Sequence, residues 1–125
     1  MRRERTVADV TLDELAVRLR EFAAAREWEH HTPTNLAMAL AGEVGELLAE
    51  LQWLTPEEAA RVMADPEAAA RMRSELADVT IYLVRLASVL GVDLIEAAQA
   101  KLAESDSRYP ADSYRGSARK APPLS

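Results

Sequence analysis

The chain has 125 residues and a formal net charge of −6, with 49% hydrophobic and 29% charged residues. This length predicts one domain, and the composition is typical of a globular protein rather than a disordered or fibrous one. The absence of cysteine excludes disulfides, thiolate metal sites and thiol nucleophiles, and the negative charge disfavours binding to a nucleic-acid polymer.

The chain begins with MRRERTVADV, which lacks the continuous apolar segment of a secretory signal. No apolar run approaches the roughly 18 residues that would span a bilayer. We therefore expect no membrane association and a cytoplasmic location, which the lack of cysteine also favours.

Helix start signals divide the sequence into four main helices and one short connecting helix. Thr11 and Glu14 predict a capping box, in which each side chain satisfies a backbone N–H of the other residue, at the start of a helix to about residue 28. Threonine followed by proline at residues 32–33 predicts a second helix to about residue 54. The same pair at residues 55–56 starts the short helix.

An aspartate followed by a proline at residues 65–66 starts the longest predicted helix. This helix is expected to end at Gly91, because glycine readily adopts the left-handed conformation that closes a helix. Asp93 and Glu96 then predict the start of a last helix, which runs to about residue 105.

No part of the sequence shows the pattern of a β-strand, and the predicted fold class is therefore all-α, a compact helical bundle. We expect residues 1–110 to form the domain. Residues 111–125 lose helical periodicity and are rich in proline, serine and basic residues, which predicts a flexible C-terminal tail.

Acidic residues lie on one face of the second predicted helix, although much of that helix is leucine and alanine. Glu43 and Glu46 are three residues apart, and Glu50 lies one further turn along. Glu75 and Asp78 repeat the spacing on the longest helix, which then becomes apolar on nearly all sides. Like charges at this spacing repel one another, more strongly in a cleft of low dielectric. Something must therefore offset this repulsion.

Two interpretations of these carboxylates are open. In the first they lie on solvated helix faces, where glutamate is simply a good helix former. In the second the two helices pack antiparallel and turn four carboxylates toward one another, which creates the oxygen-only site that Mg²⁺ prefers. A di-iron site is the rival metal interpretation, but ferritin-like bundles need Glu-x-x-His, and both histidines here precede the second helix.

These motifs resemble those of the MazG-like superfamily of all-α nucleoside triphosphate pyrophosphohydrolases. GEVGE at residues 42–46, followed by ELAD at residues 75–78, is similar to the family's ExxE…ExxD signature. The similarity is closest to the dCTP pyrophosphatase branch and extends over roughly residues 11–110. The shared segments are EFAAAREWE, HTPTNL, GEVGELLAELQW, ELADVTIYLV and KLAESDSRYP.

The resemblance implies hydrolysis of a nucleoside triphosphate to the monophosphate and pyrophosphate, with dCTP or a modified dCTP as the expected substrate. The implied role is housekeeping of the nucleotide pool, and the implied cofactor is Mg²⁺. The expected metal ligands, which are also the expected catalytic residues, are Glu43, Glu46, Glu75 and Asp78. The general base is open among these carboxylates and Glu50.

Aromatic residues extend each acidic face. Trp53 lies seven residues after Glu46, and Tyr82 lies four residues after Asp78. In an antiparallel helix pair the two rings would diverge to opposite sides of the carboxylates, so one subunit could not easily close both over a single base. We therefore expect neighbouring subunits to complete the base pocket, in agreement with the homotetramer, a dimer of dimers, that the resemblance implies. Both rings could instead be ordinary interface packing.

Three further substrate-binding residues are implied by the resemblance. Trp28 aligns with a residue that lines the base pocket and Lys101 with one that reaches the phosphates, while His31 lies in a matching loop that it could instead merely fix. Leu19 and Ser105 replace a histidine and an asparagine of cytidine-selective relatives, which leaves the preferred base open.

A non-catalytic helical interaction module is the alternative function. In that case the bundle would be retained without its activity. The complete ExxE…ExxD set favours the enzyme, because loss of activity would leave at least one of these acids free to change.

Overall fold

The computed structural model describes residues 10–28 and 30–123, and all regular elements within these ranges are helical. The helices are α1 (Leu12–Ala25), α2 (Pro33–Ala49), α3 (Pro56–Ala60), α4 (Pro66–Leu90), α5 (Leu94–Arg108) and α6 (Ala111–Tyr114), with a 3-10 turn at Val62–Ala64. The predicted all-α class is thus confirmed. Across the same ranges, no helix combines the length and the apolar character that crossing a membrane requires.

The predicted start signals act as N-caps in the structure. Each of the five helices α1 to α5 follows a residue whose side-chain oxygen accepts a hydrogen bond from the backbone N–H three residues later: Thr11, Thr32, Thr55, Asp65 and Asp93. At Thr32 and Thr55 the bond is reciprocated by Asn35 and Glu58. These caps satisfy backbone donors that a helix leaves without an internal partner, and so they fix where each helix begins.

The ends of α1 and α2 come earlier than the sequence predicts. At the end of α1, Trp28 N–H donates to the Ala23 carbonyl at 2.9 Å and Glu27 N–H to the Ala24 carbonyl at 3.0 Å, the bond pair of a Schellman turn. At the end of α2, Glu50 N–H donates to a carbonyl three residues back at 3.2 Å, so the last turn tightens. By contrast, α4 ends as predicted, with Gly91 in the left-handed conformation.

The described residues form two compact units that divide after Gly91. In the first unit α2 and α1 both pack against α4. The side chain of Leu36 on α2 is the largest fully buried one, with 1% of its surface exposed. It is joined in the core by a set of small and medium apolar residues: Ala23, Ala69, Met72, Val84 and Ala87. Burial of these side chains is the main force that holds the helices together.

The second unit contains α5 and α6. Arg108, at the end of α5, donates to the Ala121 carbonyl at 2.7 Å, and Ala121 N–H donates to the Tyr109 hydroxyl at 3.2 Å. The rings of Tyr109 and Tyr114 meet edge to face at 4.9 Å. Part of the predicted tail therefore contacts the end of α5. The predicted domain boundary after residue 110 stays a prediction.

Candidate metal centre and adjoining cavity

Packing of α2 against α4 brings three of the predicted ligands together. One carboxylate oxygen from each of Glu43, Glu75 and Asp78 lies within 4.8 Å of the others, and all three side chains are partly buried. Ligands on opposite sides of an ion bound at about 2.1 Å are about 4.2 Å apart, so small side-chain rotations would let one cation reach all three oxygens. We call Glu43, Glu75 and Asp78 the carboxylate cluster.

The helix pair is antiparallel, as predicted. Glu50, at the end of α2, accepts a hydrogen bond from Arg71 Nε near the start of α4 at 3.0 Å. Glu43, which precedes Glu50 on α2, lies near Glu75 and Asp78, which follow Arg71 on α4. The i, i+3 spacing therefore places carboxylates from both helices on the same side of their interface.

Two oxygens of the cluster have no hydrogen-bond partner in the described part of the chain. These atoms are Glu43 Oε2 and Glu75 Oε2, one from each helix, and both are buried. A buried carboxylate oxygen without a donor or cation is unfavourable, because it has lost its hydration and gained nothing in return. The residues present therefore fit a bound cation.

The pKa values of two cluster residues are raised. For Glu43 burial is the largest cause of the higher pKa, and a hydrogen bond to Glu46 comes second. The negative charges of Glu46, Asp78 and Glu75 raise the Glu43 pKa further. The pKa of Glu75 is raised by burial first, and then by Glu46 and the neighbouring charges. A cation among these oxygens would oppose each of these causes, since it favours the ionised form.

Glu46 and Glu50 lie at the edge of the cluster. Glu46 is exposed to solvent, although it interacts with both Glu43 and Glu75. Glu50 forms the ion pair with Arg71. The fourth predicted ligand, Glu46, is thus close to the cluster but is not one of its three mutually close carboxylates.

A cavity of about 320 Å³ adjoins the cluster at Asp78. Its walls come from α1, from the turn after α1 and from α4: Leu19, Phe22, Trp28, Asp78, Ile81, Tyr82 and Arg85. Apolar and aromatic walls with a few polar groups are typical of small-molecule sites, and the volume is in the usual range. Trp28 and Tyr82, predicted to bind substrate, thus share one cavity. Leu19, noted for replacing a histidine, lies in the same wall.

The other predicted substrate residues lie elsewhere. Trp53 follows α2, has 86% of its surface exposed and does not line this cavity. Lys101 belongs to the second unit, where its Nζ atom pairs with Glu104 at 3.3 Å. His31 stacks on Trp28, with ring centroids 5.9 Å apart and planes at 23°.

The sequence analysis missed Phe22, Ile81 and Arg85, and of these Arg85 is the charged one. It lines the cavity, and its Nη1 atom lies 3.1 Å from His31 Nδ1. Arg85 stands three residues after Tyr82 and seven after Asp78, hence on the same face of α4. That spacing is the signal that could have identified it.

Known proteins resemble this chain over most of its length. The model of the MazG-like family matches residues 39–122. dCTP pyrophosphatase 1 of Bos taurus is 43% identical over 114 residues, which are 90% of this chain and 68% of that protein. The Homo sapiens protein of the same name is 45% identical over 111 residues, 88% of this chain and 65% of that protein. The chain thus spans about two thirds of the length of these relatives.

A solved structure also resembles the fold. The crystal structure of a pyrophosphatase from Archaeoglobus fulgidus DSM 4304 superposes with a TM-score of 0.73 at 34% sequence identity. The match covers 88% of this chain and 98% of that chain. Together with the sequence matches, it confirms the predicted family relationship.

Proposed function

Because the chain belongs to the MazG-like family, we propose that it hydrolyses nucleoside triphosphates to the monophosphate and pyrophosphate. The observation that carries this proposal is the carboxylate cluster, which adjoins an aromatic cavity at Asp78 and has two buried oxygens without a hydrogen-bond partner among the described residues. Relatives named dCTP pyrophosphatase 1 and a structural neighbour named a pyrophosphatase support the enzyme class. The names of these relatives also support dCTP, or a modified dCTP, as the substrate.

We propose Mg²⁺ as the cofactor, held by Glu43, Glu75 and Asp78 with Glu46 beside them. An all-oxygen set of carboxylates suits a hard cation, and Mg²⁺ commonly binds a few carboxylates and takes its other ligands from water and phosphates. When bound, such an ion neutralises charge that develops on the phosphate oxygens and lowers the pKa of bound water.

The side chains of the cavity would orient the nucleoside. Trp28 and Tyr82 offer aromatic surfaces on which a base can stack, and stacking is tolerant of base identity. Because Asp78 lies at the junction of the cavity and the cluster, a base held in the cavity would direct its phosphates toward the carboxylates. Lys101 stays a proposed phosphate contact on the family resemblance alone.

Among the carboxylates that could accept a proton from water, Glu46 fits better than Glu50. Glu46 borders Glu43 and Glu75 and is open to solvent. Glu50 is instead held in the ion pair with Arg71 at 3.0 Å. We therefore assign the proton-accepting role to Glu46.

We also propose that the protein assembles as a homotetramer, a dimer of dimers. Leu76 and Leu83 lie on one face of α4 with 49% and 41% of their surfaces exposed. On α2, Met38 and Leu48 are 68% and 59% exposed. Clusters of large exposed apolar side chains favour association between copies. In such an assembly, the exposed Trp53 could reach the base cavity of a neighbouring subunit.

A nucleotide panel tests the enzymatic proposal. We expect pyrophosphate release from dCTP or a modified dCTP in the presence of Mg²⁺, and a loss of roughly 100-fold or more in Glu75→Gln. The matched control is Glu67→Gln, which removes an exposed acid from the first turn of the same helix. Absence of pyrophosphate across the whole panel would overturn the activity and favour the interaction module. Full activity in Glu75→Gln would overturn the site assignment.

A further inference from the structure

The turn after α1 adopts an unusual backbone conformation next to the aromatic cavity. Glu27 has a φ of 56°, in the left-handed region that favours glycine. The next residue is Trp28, a wall of the cavity. The two hydrogen bonds of the Schellman turn support this conformation locally, and contacts from α4 add to them.

Arg85 of α4 contacts two residues between α1 and α2, Trp28 and His31. Its Nη1 atom lies 3.1 Å from His31 Nδ1, and its Nη2 atom donates to the Trp28 carbonyl at 3.5 Å. Arginine can only donate, so His31 Nδ1 is the acceptor in this contact. The planar guanidinium fixes the relative positions of its donors, which a flexible ammonium group cannot do.

Ring contacts continue from the residues that Arg85 holds. Trp28 stacks on His31 at 5.9 Å and meets the edge of Phe22 at 5.8 Å. The guanidinium group of Arg26 lies over the Phe22 ring, with its carbon 3.7 Å from the ring centroid. The Trp28 indole therefore lies between the Phe22 ring of α1 and the His31 ring, which Arg85 of α4 contacts.

A second contact between α1 and α4 provides a control, because it attaches the two helices without involving Arg85. Arg20 Nη1 of α1 donates to Ser88 Oγ of α4 at 3.0 Å. Arg20 and Ser88 line a neighbouring cavity together with Arg85, but neither lines the cavity of Trp28. Arg20 thus links the same two helices, and its contact with Ser88 does not involve the turn.

We propose that Arg85 is a positioning residue for the nucleobase: it holds Trp28 in the cavity wall by bonding the turn between α1 and α2 to α4. Because Trp28 is already held in the cavity wall, a base need not position this ring on binding, and affinity increases accordingly. The expected effect on nucleotide binding rests on the proposed function, whereas the contact of Arg85 with Trp28 and His31 does not.

Kinetics test the substrate part. In Arg85→Ala we expect KM for the preferred nucleotide to rise roughly tenfold with kcat within about twofold, because the carboxylate cluster keeps its residues. Arg85→Lys should recover only part of the loss, since one ammonium cannot reproduce the paired contacts. The control Arg20→Ala should keep the wild-type KM. An unchanged KM in Arg85→Ala, or an equal rise in Arg20→Ala, would overturn this part.

Tryptophan fluorescence tests whether Arg85 holds Trp28 in place, and this measurement does not require enzymatic activity. The sequence has two tryptophans, so Trp53→Phe leaves Trp28 as the single reporter. In that background Arg85→Ala should increase acrylamide quenching of Trp28 at least twofold and lower its anisotropy, and Arg20→Ala should change neither. His31→Ala, which removes the acceptor and keeps Arg85, should act in the same direction, and adding Arg85→Ala to it should have little further effect.

The two tests separate the possible failures. Altered quenching in a protein that releases no pyrophosphate would support the Arg85 contact and overturn the proposed activity. Unaltered quenching in both Arg85→Ala and His31→Ala would overturn the contact, whatever the activity. If Arg85→Ala does not fold, the quenching of the Arg85→Lys and His31→Ala variants decides the question in the same way.

Discussion

Thermal stabilisation by Mg²⁺ is the most direct test of the carboxylate cluster. A ligand that binds only the folded state adds RT ln(1 + [L]/Kd) to its stability, about 2.7 kcal/mol at a concentration of 100 times Kd. At about 2.1 cal/mol/K per residue, the entropy of unfolding of a chain of 125 residues is about 0.26 kcal/mol/K. Saturating Mg²⁺ should therefore raise Tm by about 10 °C.

Glu43→Gln provides the decisive comparison. It removes one negative charge from the cluster with almost no change in volume, and an amide is a poor ligand for Mg²⁺. We expect this variant to lose most of the Mg²⁺ shift. We also expect its Tm without metal to exceed that of the wild type, because one buried and uncompensated charge is gone.

Scanning calorimetry, with NaCl matching the ionic strength of each Mg²⁺ concentration, measures both effects. Glu67→Gln is again the control, and it should show the wild-type shift. A full Mg²⁺ shift in Glu43→Gln would refute the assignment of this residue as a ligand. A wild-type Tm that does not respond to Mg²⁺ would refute the metal centre itself.

Three further predictions concern pH, the end of α4 and assembly. Because the pKa values of Glu43 and Glu75 are raised in the folded state, the metal-free folded protein keeps protons that the unfolded chain loses near pH 4.5. Calorimetry should therefore find that the free energy of unfolding falls as pH rises above 4.5. Mg²⁺ should weaken this dependence on pH. Gly91→Ala should lower the free energy of unfolding in urea by about 1 kcal/mol, since the φ of 69° strains any residue with a Cβ atom. Leu83→Glu should dissociate the proposed tetramer, as measured by light scattering during size exclusion, and an unchanged mass would argue against an interface at this face of α4.

The helix starts were predictable because their causes are local. Thr55 with Glu58, and Asp65 with Pro66, determine the backbone within a few residues, and the observed caps agree. The end of α1 was not predictable in this way. The residue in the left-handed conformation there is Glu27 rather than a glycine, and its neighbours are held by Arg85 from a distant part of the chain.

The carboxylate cluster was predictable for a related reason. The i, i+3 spacing places the acids of each largely apolar helix on one face, and packing of the two helices can turn these faces toward each other. In the structure Glu43 lies close to Glu75 and Asp78, as expected. The cavity depends on three separate segments, so spacing alone could place Tyr82 beside Asp78 but could not bring Trp28 to them. Mg²⁺, the tetramer, the preferred base and a cytoplasmic location stay predictions.

Asp78 belongs both to the carboxylate cluster and to the wall of the aromatic cavity. The proposed cation and the proposed nucleotide would thus meet at one side chain, so that binding of one would affect binding of the other. By thermodynamic reciprocity, the factor by which a cation changes affinity for a nucleoside equals the factor by which that nucleoside changes affinity for the cation. Under the proposed function, the dissociation constants of the cation and of the nucleotide are therefore each defined only at a stated concentration of the other ligand.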